Sequence, residues 1–219
     1  MYTQVVEDYL KAIWMLQQTE APVSTSRIAE RLGLSAAAVT AMVKRLAEQH
    51  LLRHEPYYGV RLTPAGELAG IRIIRRHRVL ELFLTEMLGY EWDRVHAEAE
   101  RLEHAASDEL IERLARLLGG PERDPHGSAI PTAAGEVDLA VYPTLGEVRP
   151  GDSGRVVEVR IQEAEQLRYI GTLDLYPGAS VAVVERAPFE GPITLTVNGV
   201  ARTLSRSLAD RIHVNVGEE

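Results

Sequence analysis

The chain has 219 residues, a formal net charge of −8 and no cysteine, which excludes disulfides, thiolate zinc sites and cysteine nucleophiles together. With 45% hydrophobic residues it is long enough for two or three small domains with real cores. No apolar run reaches about 18 residues, and the N-terminus carries acids in an amphipathic pattern unlike a signal peptide, so no membrane partner and a cytoplasmic location are expected.

Charge is unevenly placed. Residues 1 to 80 hold 11 Lys and Arg against 7 Asp and Glu, a balance of +4, and the remainder is at −12. The basic third has the sign that suits nucleic acid. Composition separates four segments, 1–64, 65–118, 119–136 and 137–219.

In the first segment Ser24 to Leu34 reads as a short helix ending at Gly33, and Ser35 as the N-cap of a second helix, Ala36 to Gln49. Leu51-Leu52 and RHEPYYGVRLTPAGE follow, two short strands around a Tyr57-Tyr58-Gly59 tip, the outline of a wing. In such a winged helix-turn-helix the second helix enters the major groove of DNA by its N-terminal end. Here that end is Ser35, Ala36, Ala37, Ala38 and Thr40, with Lys44 and Arg45 further along. Alanines can meet thymine methyls but read little by hydrogen bonding. Shape and phosphate contacts are therefore expected to dominate, with Arg27, Thr40, Lys44 and Arg61 as positioning groups and Tyr58 at the wing tip. A helical pair with a hairpin can also be a protein-interaction module; the concentration of basic charge favours DNA.

Residues 65–118 read as two longer helices. The second, Asp93 to Leu118, presents His96, Glu100, Glu103 and His104 at offsets of zero, four, seven and eight. At ~100° per residue these fall within an arc of roughly 100°, beside an apolar stripe of Val95, Ala99, Leu102 and Ala106. The first supplies His77 and Glu81 at i, i+4. Such residues can form a solvated, ion-paired face. Neighbouring carboxylates at the edge of a core nevertheless repel unless a cation neutralises them, and imidazole with carboxylate is a donor set for divalent transition metals.

Gly119 to Gly135, rich in Gly and Pro without periodicity, reads as a linker. From about Val137 the pattern changes to short β runs, RVVEVRI, SVAVVE, ITLTV and IHVNV, separated by PG, GP and NG turns, which suggests a small barrel. The expected class is α+β multidomain: winged helix-turn-helix, helical metal-binding and dimerisation domain, and small β-barrel.

The stretches VEDYLKAIWML, SRIAERLGLSAAAVTAMVKRL, YYGVRLTPAGE, RHRVLELFL, VHAEAERLEHAASDEL and LGEVRPGDSGRVVEV together resemble the diphtheria toxin repressor and manganese transport regulator family, in its long form with an SH3-like (FeoA-like) domain. The resemblance implies a homodimer that binds double-stranded operator DNA when a divalent metal is held, repressing metal-uptake genes. It implies a primary site of Asp8, Glu100, Glu103 and His104. The implied ancillary site is His77, Glu81 and His96, completed by Glu163 and Gln166, which have the three-residue spacing of the long members. Iron-responsive members carry Met and Cys where this chain has Asp8 and Glu100. Harder oxygen ligands suit Mn(II) better, with Fe(II) the alternative and other divalent ions as substitutes. Short manganese members carry an acid one helical turn after the first Asp; here that position is Lys11, which cannot ligate while charged, so a separate ancillary site is implied in place of a close two-metal cluster.

Two rival readings remain at this stage. A helical metalloenzyme could use the same His and Glu set, but the sequence offers no separate nucleophile, phosphate loop or cofactor motif, so an enzyme is not expected. A winged-helix regulator indifferent to metal would use the same residues in salt bridges.

Overall fold

The computed structural model describes residues 2–55 and 57–217; Pro56, within the expected wing, lies outside them. The chain divides into two compact units, one of Met1–His77, Arg101–Glu112 and Pro131–Glu136, the other of Arg78–Glu100, Arg113–Ile130 and Val137–Glu219. Among the described residues no helix is long and apolar enough to cross a membrane.

The first unit opens with helices α1 (Gln4–Gln17), α2 (Thr25–Leu32) and α3 (Ala36–Glu48), followed by strands β1 (Leu52–Glu55) and β2 (Gly59–Leu62). Local chemistry sets the helix ends. The Ser24 hydroxyl accepts from the Arg27 amide, Gly33 closes α2 at φ 65°, and the Ser35 hydroxyl accepts from the Ala38 amide to start α3. Tyr9, Leu10 and Ile13 of α1, Ile28 of α2 and Val39, Val43 and Leu46 of α3 are buried and form the core that fixes α3. The antiparallel β1–β2 hairpin sets Arg53 directly opposite Arg61, and Val23 bridges to Val60 on the hairpin's other side.

The long helix α4 (Pro64–Leu88) contributes to both units. Sequence periodicity predicts a single helix over Asp93–Leu118, whereas the chain forms α5 (Val95–Leu102), a turn, and α6 (Asp108–Leu117). Ser107 causes the break: its hydroxyl accepts from the Leu110 amide, a helix start in mid-pattern. Glu103 and His104 therefore lie on a turn that begins where α5 stops.

The second unit holds a five-stranded antiparallel sheet of order β6-β5-β4-β3-β7, from β3 (Ser153–Val159), β4 (Ser180–Arg186), β5 (Ile193–Val197), β6 (Val200–Leu204) and β7 (Ile212–Val216). Helix α7 (Ala164–Thr172) joins β3 to β4, and the short α8 (Arg206–Ala209) precedes β7. Register shifts at Val156/Glu158 and Val183/Glu185 mark bulges that bend the strands around a core including Leu145, Leu167, Ile170, Leu195 and Ile212. Asn198 and Gly199, both at positive φ, make the tight turn between β5 and β6.

The expected linker is ordered over part of its length. Asp124 and His126 are buried, and Arg123 bridges to Ala129 around them. The tight Asp-Pro-His-Gly turn is the reason. Both the His126 and Ser128 amides donate to Asp124 Oδ1, at 2.8 and 3.0 Å. Gly127 has φ 87°, and a Cβ there would lie 1.9 Å from the Val157 carbonyl oxygen, so only glycine lets the turn close against β3.

Candidate metal centres and nucleic-acid interface

In the first unit, α1 and the turn after α5 bring together Asp8, Glu103 and His104, whose donor atoms all lie within 4.8 Å of one another. His104 Nδ1 donates to Glu7 Oε2 at 2.7 Å, which turns Nε2 to the other side of the ring. There Nε2 is buried and makes no hydrogen bond, although Asp8 Oδ1 is 2.9 Å away and Glu103 Oε1 3.5 Å. An imidazole nitrogen with two carboxylate oxygens is a suitable donor set for a divalent cation. These residues fit a divalent metal.

Glu103 is fully buried and has a second set of partners. Lys11 Nζ lies 2.9 Å from both of its oxygens and 3.2 Å from His77 Nδ1, which in turn is 2.5 Å from Glu103 Oε2. His77 is thus engaged by Lys11 and Glu103 in this unit. Glu7 and Lys11 carry parts of the arrangement that helical spacing on the Asp93–Leu118 stretch could not show, because they enter from α1.

In the second unit a different trio converges. Glu81, Asp124 and His126 are all buried, with donor atoms within 4.8 Å of one another. His126 Nε2 donates to the Trp92 carbonyl at 2.9 Å, and Trp92 stacks on the ring, which leaves Nδ1 toward Glu81 Oε2 at 3.9 Å. Burial, then the neighbouring Glu81 carboxylate, pushes Asp124 up to about 6, opposed by Arg78 and His126. Two buried carboxylates side by side call for positive charge, and the set fits a second divalent ion. His96 Nδ1 donates to the other Glu81 oxygen at 3.1 Å, and its Nε2 is 3.7 Å from Glu100.

Of the expected primary ligands, Asp8, Glu103 and His104 bring their donor atoms together in the first unit, and of the ancillary ones Glu81 and His96 meet in the second. Glu163 and Gln166 both hold Arg211, at 3.1 and 2.9 Å. Asp124 and His126 were hidden by their Gly/Pro-rich context, although an acid and an imidazole flanking a turn proline are a legible ligand signal.

The nucleic-acid face follows from α3. Ser35, Ala36, Ala37, Ala38, Thr40, Lys44 and Arg45 are exposed, as are Arg27, Arg61 and the wing-tip Tyr57 and Tyr58. Some are already engaged. Thr40 Oγ1 donates to the Ala36 carbonyl, Arg27 pairs with Glu30 at 3.0 Å, and Arg61 donates to the Ala21 carbonyl. Arg53, absent from the sequence-based set, faces Arg61 across the hairpin. Like charges directly opposed are unfavourable in isolation, and a phosphate between them removes the repulsion.

A winged helix-turn-helix joined to acid-and-imidazole clusters defines a class, the metal-dependent DNA-binding regulators, and comparison with known proteins identifies the family. Three family models match in series: "Iron dependent repressor, N-terminal DNA binding domain" over residues 1–60, "Iron dependent repressor, metal binding and dimerisation domain" over 63–132, and "FeoA domain" over 144–216. The chain is 31% identical over 218 residues to the diphtheria toxin repressor of Corynebacterium diphtheriae, covering 95% of each protein. It is 34% identical over 180 residues to the iron-dependent repressor IdeR of Mycobacterium tuberculosis, covering 82% of this chain and 70% of that one. A solved manganese-dependent transcriptional repressor in complex with manganese superposes with TM-score 0.89 at 40% identity, covering 95% of this chain and 98% of the other. The chain belongs to the diphtheria toxin repressor family of metal-dependent transcriptional repressors, DNA-binding proteins and not enzymes.

Proposed function

We propose that this chain is a manganese-responsive, homodimeric repressor of metal-uptake genes, acting in the cytoplasm, whose grip on operator DNA depends on ions held at Asp8, Glu103 and His104 and at Glu81, Asp124 and His126. The observation that carries the reading is the buried, unbonded His104 Nε2 facing the Asp8 and Glu103 carboxylates. An ion there supplies positive charge and fixes the position of its ligands. Asp8 is on α1, which packs under the DNA-reading pair α2 and α3, whereas Glu103 and His104 are on the turn between α5 and α6. Lys11 of α1 already pairs with Glu103, and the ion adds a second tie, from Asp8 of α1 to Glu103 and His104, that holds α3 in one orientation.

The manganese preference rests on the donors. Each trio offers one imidazole and two carboxylates, and the chain has no cysteine. Hard oxygen donors suit Mn(II), whereas the iron named for the Mycobacterium tuberculosis relative is the alternative. Electrophoretic shift of a duplex selected from a random pool, titrated with Mn(II), Fe(II), Zn(II) and Co(II) at buffered free-ion concentrations, tests both levels. A site without preference binds Fe(II) above Mn(II) by the Irving–Williams order. Activation by Mn(II) at free concentrations no higher than Fe(II) requires supports the assignment. A shift unaffected by EDTA overturns metal dependence, and Fe(II) acting tenfold below Mn(II) overturns the manganese preference.

A further inference from the structure

The side chain that prepares His104 for a metal is Glu7. It is 5% exposed on α1, one residue before Asp8, so consecutive side chains of this helix turn to different tasks. Its Oε2 accepts from His104 Nδ1 at 2.7 Å, and its Oε1 faces Arg76 Nη1 on α4 at 3.8 Å, an ion pair without a hydrogen bond. Arg76 is itself buried and held by Asp108 of α6, which accepts from Nε at 2.9 Å and Nη2 at 2.8 Å. The order is therefore Asp108, Arg76, Glu7, His104, and it ends at the unbonded Nε2 between Asp8 and Glu103.

We infer that Glu7 is a positioning residue of the first metal centre: it holds the His104 ring in the tautomer and orientation that aim Nε2 at the ion, and Arg76, braced by Asp108, holds Glu7. A carboxylate on the far nitrogen of a ligating imidazole fixes the ring and raises its basicity, and loss of such a partner typically lowers metal affinity 10–100-fold. Glu7 acts only through His104 and is not offered as a ligand. The charge matters as well as the hydrogen bond, because a carboxylate stabilises the positive character the ring acquires when its other nitrogen ligates. The arrangement also ties metal affinity to α4 and α6, since the guanidinium that steadies Glu7 is anchored on α6.

The inference rests on the proposed metal site, and the test separates the two. Mn(II) affinity and stoichiometry are measured on the full chain for the parent, Glu7→Gln, Glu7→Ala, Arg76→Met and His104→Ala. In parallel, nitrogen-15 spectra of the histidine rings are recorded with diamagnetic Zn(II). Glu7→Gln keeps an acceptor and removes the charge, so about a tenfold loss at one site is expected. Glu7→Ala removes both and should lose about 100-fold, with the Nδ1–H signal of His104 displaced and the second site's affinity unchanged. Arg76→Met should give an intermediate loss with His104 still bonded to Glu7. Parent-like Mn(II) affinity and an unmoved His104 signal in Glu7→Ala overturn the inference. If Glu7→Ala does not fold, the isosteric Glu7→Gln decides, and parent affinity there overturns it equally. Parent stoichiometry in His104→Ala instead overturns the metal site itself.

Discussion

Removing the Lys11 ammonium should make the first unit depend on metal for its stability. Glu103 is fully buried, and Lys11, itself 8% exposed, places Nζ at 2.9 Å from both carboxylate oxygens. Lys11→Met keeps most of the side-chain volume and deletes the charge. Breaking a buried pair by removing one partner costs about 3–5 kcal/mol, because the remaining charge is left uncompensated. At ~1.4 kcal/mol per factor of ten, amides of α1 that exchange by opening of this unit should exchange roughly 100- to 4,000-fold faster in the metal-free variant. Mn(II) restores positive charge beside the same carboxylate. At a free concentration about 100 times Kd it contributes about 2.7 kcal/mol to any state that binds it, so it should bring the variant most of the way back to the metal-free parent. Hydrogen exchange of α1 and α4 peptides, with and without Mn(II), reads both effects. If metal-free Lys11→Met exchanges within a few-fold of the parent, Lys11 is not the counter-ion of Glu103 and the charge argument for this centre fails.

The remaining expectations concern the other elements. Gly127→Ala places a Cβ 1.9 Å from the Val157 carbonyl oxygen at a positive φ, so the Asp124–His126 turn should open and Mn(II) stoichiometry by equilibrium dialysis should fall by one per chain; unchanged stoichiometry would separate the turn from metal binding. Arg53→Ala and Arg61→Ala should each weaken binding to all duplexes alike and reduce the salt slope by about 1, and a loss confined to one sequence would reassign them to base reading. The chain should sediment as a homodimer at micromolar concentration, because Leu88, Leu110 and Leu117 of α4 and α6 are exposed; a monomer under all metal conditions would refute this.

The DNA-reading elements were legible because their signals are local. Ser24, Gly33 and Ser35 each act within four residues of their own position, and the Asn198-Gly199 turn needs no distant partner. The single helix expected over Asp93–Leu118 misled for the opposite reason. Its apolar and ligand stripes keep helical period through the break, so periodicity cannot detect that Ser107 restarts the helix. The break has a use: a turn frees Glu103 and His104 from helical spacing, and their side chains reach α1 from adjacent positions that point ~100° apart on a continuous helix.

What helical spacing conceals most fully is which side chains approach a helix face from elsewhere in the chain. His77 and Glu81 share one face of α4, and each meets partners that the face does not reveal: Lys11 and Glu103 for His77, Asp124 and His126 for Glu81. Register on a helix fixes only direction; what a side chain meets depends on what approaches from elsewhere in the chain. Lys11 and Glu7 come from α1, and Asp124 and His126 come from a turn whose composition suggests no order. The deciding residue there is Gly127, the one position in that segment where a side chain would strike a neighbouring strand's backbone. A glycine in a Gly/Pro-rich stretch carries no visible mark of this, because flexibility and close approach select the same residue. Only the Val157 carbonyl distinguishes them, and it lies 30 residues away.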